Sequence, residues 1–179
     1  RVSGAPGCRV FPVGNVWNRR VDTLPVRDDS EVLKTTIGLD RYLHPDFGSY
    51  SGYGIPYNIV SRSTPRSRVI FRWPSESDRV RYPIPSKVKR EAGSDRHILM
   101  LDKSGCKLYE LFDARKVNGT WRAGSGATWD LQSNALRPAG WTSADAAGLP
   151  ILPGLVRYDE VVAGEINHAL RFTTDETRT

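Results

Sequence analysis

A chain of 179 residues with 39% hydrophobic content is long enough to bury one sizeable core. No stretch approaches the roughly 18 uninterrupted apolar residues of a membrane-spanning helix. The net charge of +6 is uneven: residues 62–96 hold ten basic and four acidic side chains, and the remainder balances at zero. Such an excess can attract polyanions, or it can be a solvated edge in a chain that prefers arginine to lysine.

The chain begins at Arg1 with no charged-then-apolar leader, which suggests a mature or trimmed form. Residues 1–7 are expected to be a flexible terminus, and 8–179 a single β-rich domain. Residues 8–13 read as a first strand. A short helix is expected at 30–37, with Ser30 as N-cap, Val32, Leu33 and Ile37 inward and Gly38 as stop. The run LHPDFGSYSGYG reads as a loop. IPYNIVS (55–61) and RVIFRW (68–73) read as strands, and Pro74 to Ser94 as a charged surface excursion.

The clearest unit is a hairpin from His97 to Phe112 around Lys103-Ser104-Gly105, the glycine taking the left-handed conformation. If Asp102 faces Cys106, Ile98 pairs with Glu110 and His97 with Leu111. Glu110 then shares a face with Ile98 and Met100, and His97 lies on the opposite face. A turn at Asn118-Gly119 follows. Gly124 and Gly126 within a strand pattern point to a bulge, or to close approach by another backbone or a ligand. From Gln132 to Val156 there is little periodicity, and so long a loop is uncommon unless it serves a site. Tyr158 to Ala163 reads as a helix closed by Gly164, and INHALRFT as a last strand. The fold class expected is mostly β, a sandwich or jelly-roll-like domain with a few short helices.

Cys8 and Cys106 both stand where a strand is expected to begin. An even count in matching contexts points to one disulfide and an exported protein, the alternative being two buried free thiols. In the chain-entropy view so long a closed loop contributes about 4–5 kcal/mol.

The motifs FPVGNVWN, LHPDFG, GIPY, YPIP, SDRHILMLD, CKLYELFD, NALRPAGWTSADAAGLPILPGLVRYDE and GEINHALRF together cover most of the chain. On them the sequence resembles a family of uncharacterised exported proteins of actinobacteria and other soil bacteria. The resemblance implies secretion and a glycan-rich or cell-surface niche, and no catalytic assignment. Members of that family look longer, continuing past HALRFT. The chain, ending at Arg178-Thr179, is thus expected to be truncated, or completed by a second polypeptide.

Titratable groups among apolar neighbours are the candidates for chemistry. Glu110 could act as a general acid with Asp95 or Asp130 as partner, which suits glycosidic cleavage. The alternative is a core Glu held by Arg96 or Arg122. His97 and His168 could act together in a lyase on uronic acid polymers, with Arg96 or Arg137 neutralising the substrate carboxylate. Otherwise they brace strand starts. Trp129, Asn134, Arg137, Trp141, Asp145 and Tyr158 are candidate sugar contacts, although Asp145 also fits a helix cap after Thr142. Metal binding by the histidines with Asp46, Asp95 or Asp102 lacks zinc-type spacing. No cofactor is expected.

The function expected is that of a secreted carbohydrate-active protein, a glycoside hydrolase or polysaccharide lyase if it is an enzyme. The alternative is a non-catalytic glycan-binding or cell-surface module, or a polyanion binder acting through 62–96. The partner is an extracellular or cell-wall glycan, an acidic one included. Nucleic acid is not the expected partner, because no aromatic-interleaved basic motif is present.

Overall fold

The computed structural model describes residues 1–42, 44 and 53–174. Part of the LHPDFGSYSGYG loop, Asp46 with it, and the residues after 174 lie outside the described residues. Among the described residues seven strands form: Tyr57–Val60 (β1), Val69–Phe71 (β2), Ile98–Asp102 (β3), Lys107–Phe112 (β4), Arg115–Val117 (β5), Thr120–Ala123 (β6) and Ser125–Asp130 (β7). Two short helices, Ser30–Ile37 (α1) and Tyr158–Ala163 (α2), and single 3₁₀ turns at Pro74–Glu76 and Leu152–Gly154 make up the rest of the regular structure among the described residues. The strands make two mixed sheets, in the orders β1-β3-β4-β7 and β2-β6-β5. β1 runs parallel to β3 and β2 parallel to β6, while the remaining pairs are antiparallel. The expected mostly-β sandwich is what forms.

β3 and β4 are apolar on both faces, so both sides of the larger sheet must be covered. On one side Ile98, Met100, Tyr109 and Leu111 pack with Tyr82, Ile84 and Ala123, and against Val69, Phe71 and Trp121 of the smaller sheet. On the other side Leu99, Leu101, Leu108, Ala127 and Trp129 meet no sheet. Their cover is irregular chain: Val2, Ala5, Cys8 and Phe11 from the start, and Ala144, Ile151 and Leu152 from the long loop.

That cover explains several departures from the sequence expectation. Within residues 1–7, Val2 and Ala5 are buried and bridged to each other, while the other five residues are exposed. Residues 8–13 are irregular instead of a strand. Phe11 has φ 63°, and the amide of Asn18 donates to the carbonyls of Val10, Phe11 and Pro12, replacing the missing ladder. HALRFT is not a strand either. The Ala169 N–H donates to Trp17 O and the Arg171 N–H to Gly154 O, single bonds to two separate segments. Pro74 to Ser94 is no mere surface excursion, because Tyr82 and Ile84 drop into the core between the sheets. α1 forms as expected with Gly38 as its stop, but Asp29 is the N-cap residue and none of its side chains is buried. Val32 points outward.

The hairpin is present in a different register. Asp102 pairs with Lys107, Leu99 with Glu110 and Ile98 with Leu111. The connection has four residues, and Cys106 (φ 49°), not Gly105, takes the left-handed conformation. A slip of one residue exchanges the faces of a strand, so Glu110 moves to the face of Leu99, Leu101 and His97. The Asn118-Gly119 turn between β5 and β6 is as expected, both residues having positive φ, the requirement of a type I′ turn.

Gly124 and Gly126 mark the corner where the chain leaves the smaller sheet as β6 and enters the larger as β7. The close approach comes from aromatic side chains. A Cβ on Gly124 would lie 2.7 Å from Phe112, and one on Gly126 would lie 2.6 Å from the Tyr82 hydroxyl and 2.7 Å from Phe71.

Cys8 and Cys106 are bonded, with Cα atoms 5.3 Å apart, pinning the N-terminal cover to the β3–β4 turn across a separation of 98 residues. The double variant C8S/C106S should lose about 2–5 kcal/mol of stability, measured by urea unfolding. An unchanged midpoint would show that the N-terminal cover holds without the bridge.

Candidate functional site

Glu110 is wholly buried and surrounded by donors. The Trp129 indole N–H reaches Oε2 at 3.2 Å, the Ile151 N–H lies 3.0 Å from both oxygens, and the Leu152 N–H is 2.9 Å from Oε1. The β4–β7 pairing sets Ala127 opposite Glu110 and Trp129 two residues further along on the same face, and the loop places Ile151 and Leu152 at the opening of a 3₁₀ turn. Burial pushes the Glu110 carboxyl above the ordinary glutamate range. The N–H groups of Leu152 and Ile151, the indole and the charge of His97 pull the other way without overcoming it. This is the signature of a brace. All its contacts are internal, and it closes the orphan amides of a buried turn.

His97 enters β3 on the same face and is equally occupied. Its Nδ1 is 2.7 Å from Glu91 Oε2, its Nε2 is 3.1 Å from Ala144 O, and its own backbone N–H donates to Glu91 at 3.1 Å. It thereby ties the end of β3 to the long loop. Ser125 Oγ does likewise, donating to Ser143 O at 2.6 Å.

Arg137 is the third brace. Its side chain is buried, donating to Asp78 Oδ2 at 2.8 Å, Glu76 O at 2.8 Å and Thr142 O at 3.0 Å. Its guanidinium stands 5.6 Å from the Trp129 ring and 5.5 Å from Trp141, so aromatic surface covers what the hydrogen bonds leave. Trp129 is buried as well. Neither it nor Arg137 is open to a polymer.

The other expected site residues are dispersed. Asp95 is on an exposed turn with its side chain near Ser94, and Arg96 pairs with Asp113 at 3.0 Å rather than with Glu110. Asp102 is held by Arg66 at 2.9 Å. Asn134 is exposed and accepts from Asn15 at 2.8 Å. Asp145 caps no helix and pairs with Arg171 at 3.2 Å. Tyr158, 84% exposed, stands on the outside of α2. Among the described residues no group of three or more His, Cys, Asp and Glu could hold a metal ion. The structure therefore joins His97, Glu110, Trp129, Arg137 and Trp141 around the long loop that they fasten, and sets the rest apart.

His168 belongs to a different place. It lines a cavity of about 480 Å³ with Arg9, Asn18, Arg157, Glu160 and Asn167, between the N-terminal turns and the stretch around α2. Its Nδ1 lies 2.7 Å from Ala169 O, and its Nε2 lies 2.9 Å from Glu160 Oε1, off the line that a hydrogen bond needs. It shares no hydrogen-bond partner with His97. Arg157 and Asn18 escape a reading of the sequence because neither lies in a periodic segment. The only local signal is RYDE, an arginine one residue ahead of a helix whose N3 position is glutamate.

No family model matches the chain, and no curated protein or solved structure matches it either.

Glu110→Gln supplies a test of the brace. The amide turns two donors toward the Trp129 and Ile151 N–H groups, so about 1–3 kcal/mol of stability should be lost at acid pH. In the wild type the raised pKa means that the folded state holds a proton the unfolded state releases. Stability from this group is thus full below the ordinary glutamate pKa of 4.5 and declines as pH rises through the window above it. The glutamine variant has no such slope, so the gap between the two should narrow toward neutrality. Parallel pH profiles in urea unfolding would count against the direction of the shift.

Proposed function

We propose that the protein is an exported, non-catalytic module that holds an acidic extracellular or cell-wall glycan on the outer face of the smaller sheet. One observation carries this reading. β2, β5 and β6 contain no acidic residue, and Arg115 and Arg122 face outward from them, with Arg68 and Arg72 next to the ends of β2.

Val69, Phe71 and Trp121 pack inward against the core, so Ile70, Arg122 and Thr120 face out, flanked by Arg68 and Arg72 at the ends of β2. Ile70 is opposite Arg122, and Arg122 is opposite Arg115. Like charges directly across a pair of strands destabilise it, and a polyanion laid along that row would relieve the repulsion. Arg115 is partly neutralised by Asp113 at 2.9 Å. Among the described residues neither Arg68 nor Arg122 has an ion-pair partner. Trp73, 44% exposed, stacks on Phe112 with ring centroids 6.2 Å apart, and the Arg72 guanidinium stands 5.0 Å from its ring, which holds that cation at the edge of the face.

Secretion is supported by the disulfide, since such bonds persist in oxidising compartments, and by the resemblance to exported soil-bacterial proteins. No described helix is long and apolar enough to cross a membrane. The hydrolase and lyase readings lose their support once Glu110, His97 and Arg137 are committed to internal bonds.

Titration with polygalacturonate, a neutral glucan and duplex DNA tests the proposal. The acidic glycan should bind and the neutral one should not, with affinity falling steeply between about 50 and 500 mM salt. R68S/R122S should weaken binding roughly tenfold or more while leaving the unfolding free energy within about 0.5 kcal/mol of wild type. No reducing ends or unsaturated products should be released. Stronger retention of DNA, or turnover of the polymer, would replace this reading.

A further inference from the structure

The cavity beside α2 is a second place where chemistry is left incomplete. It shares no residue with the arginine face, so a ligand there is independent of any polymer held on that face. Its volume of about 480 Å³ falls within the range of small-molecule sites. The Arg157 side chain, 5% exposed, forms part of its wall. One nitrogen, Nη2, is bonded to Glu160 Oε1, whereas Nε and Nη1 are buried without any partner. A guanidinium carries five N–H donors, and three of them belong to these two nitrogens. Leaving buried donors unmatched is costly, and charged ones more so.

Both carboxylate oxygens of Glu160 are already used. Glu160 Oε2 takes the backbone N–H of Arg157 at 3.0 Å, closing the first turn of α2, and Oε1 takes Nη2. Asn18 gives its amide to the carbonyls of Val10, Phe11 and Pro12. Arg9, also in the wall, adds a further cation. Arg157 and Arg9 thus offer the cavity donors, and Glu165 and Asn167, which line it too, offer oxygens that can accept a hydrogen bond.

We infer that this cavity binds a small hydroxylated carboxylate, of which a uronic acid is the type, with its carboxylate on Arg157 and Arg9 and its hydroxyls on Glu165 and Asn167. A bare dianion fits poorly, because Asp159, Glu160 and Glu165 line the same space. A neutral sugar leaves the arginine unmatched. The pairing of one carboxylate with several hydroxyls answers both sets of residues at once. Arg157 is the anchor and Arg9 the secondary contact.

Free galacturonate, its short oligomers, galactose and sulfate are the probes, read by calorimetry and by the Arg157 Nε–H resonance in the wild-type protein. Galacturonate should bind with a dissociation constant near or below about 1 mM, at least tenfold tighter than galactose or sulfate, and should move that resonance. R9Q should weaken binding several-fold, and R157Q, if its circular dichroism is retained, should abolish it. Equal affinity for galactose, an Arg157 resonance that does not move at saturation, or undiminished binding to a folded R157Q protein would each overturn the inference. So would oligomers that bind where the monomer does not, since a cavity of this size is filled by one acid.

Discussion

Two neighbouring strands that are apolar on both faces set the problem which the rest of this protein answers. β3 and β4 cannot face water on either side. One face is closed by the smaller sheet, whose backbone satisfies itself through its own ladder. The other is closed by irregular chain, which has no ladder and must find a partner for every buried amide and carbonyl. Polar side chains supply those partners. Glu110 takes the amides of Ile151 and Leu152, His97 meets Ala144 O, and Arg137 donates to Thr142 O and Glu76 O. Asn58 makes the same kind of bridge at the sheet edge, exchanging bonds with Lys89 and donating to Leu99 O.

Buried ionisable groups in a small β protein therefore have two explanations, catalysis and the upkeep of an irregular cover. Partners decide between them. A catalytic carboxyl needs an open side toward substrate, and Glu110 has none. A substrate-binding arginine needs free donors, and each nitrogen of Arg137 is used on the protein itself. Arg157 differs in that it lines a cavity while two of its buried nitrogens have no partner in the protein. Arg68 and Arg122 differ in standing on an open face without an ion-pair partner among the described residues. Function is better sought where hydrogen-bonding capacity is left over than where it is saturated.

Features that depend on a few adjacent residues were readable from the chain. The Asn118-Gly119 turn, the glycine stops after α1 and α2, the strands at 57–60 and 69–71 and the β3–β4 hairpin follow from local conformational preference and alternation. So did the pairing of the two cysteines and the prominence of Glu110, His97 and Trp129. The arginine-rich stretch was visible as composition, but not as a face, because most of it is irregular chain and the partner strand of β2 is β6, some fifty residues on.

What the chain settled by itself was most of the strands, their turns and the residues unusual enough to need an explanation. Tertiary structure alone decided the register of the hairpin, since Cys106 is held in the turn by a bridge to Cys8 and the four-residue connection exchanges the faces. It also decided that residues 8–13 and 166–173 remain irregular despite strand-like patterns. Their carbonyls and amides are met by Asn18, Trp17 and Gly154, partners that the strand-like pattern does not announce. Alternation tells a strand which side is apolar, but whether a ladder forms depends on a neighbour that only the folded chain can bring alongside.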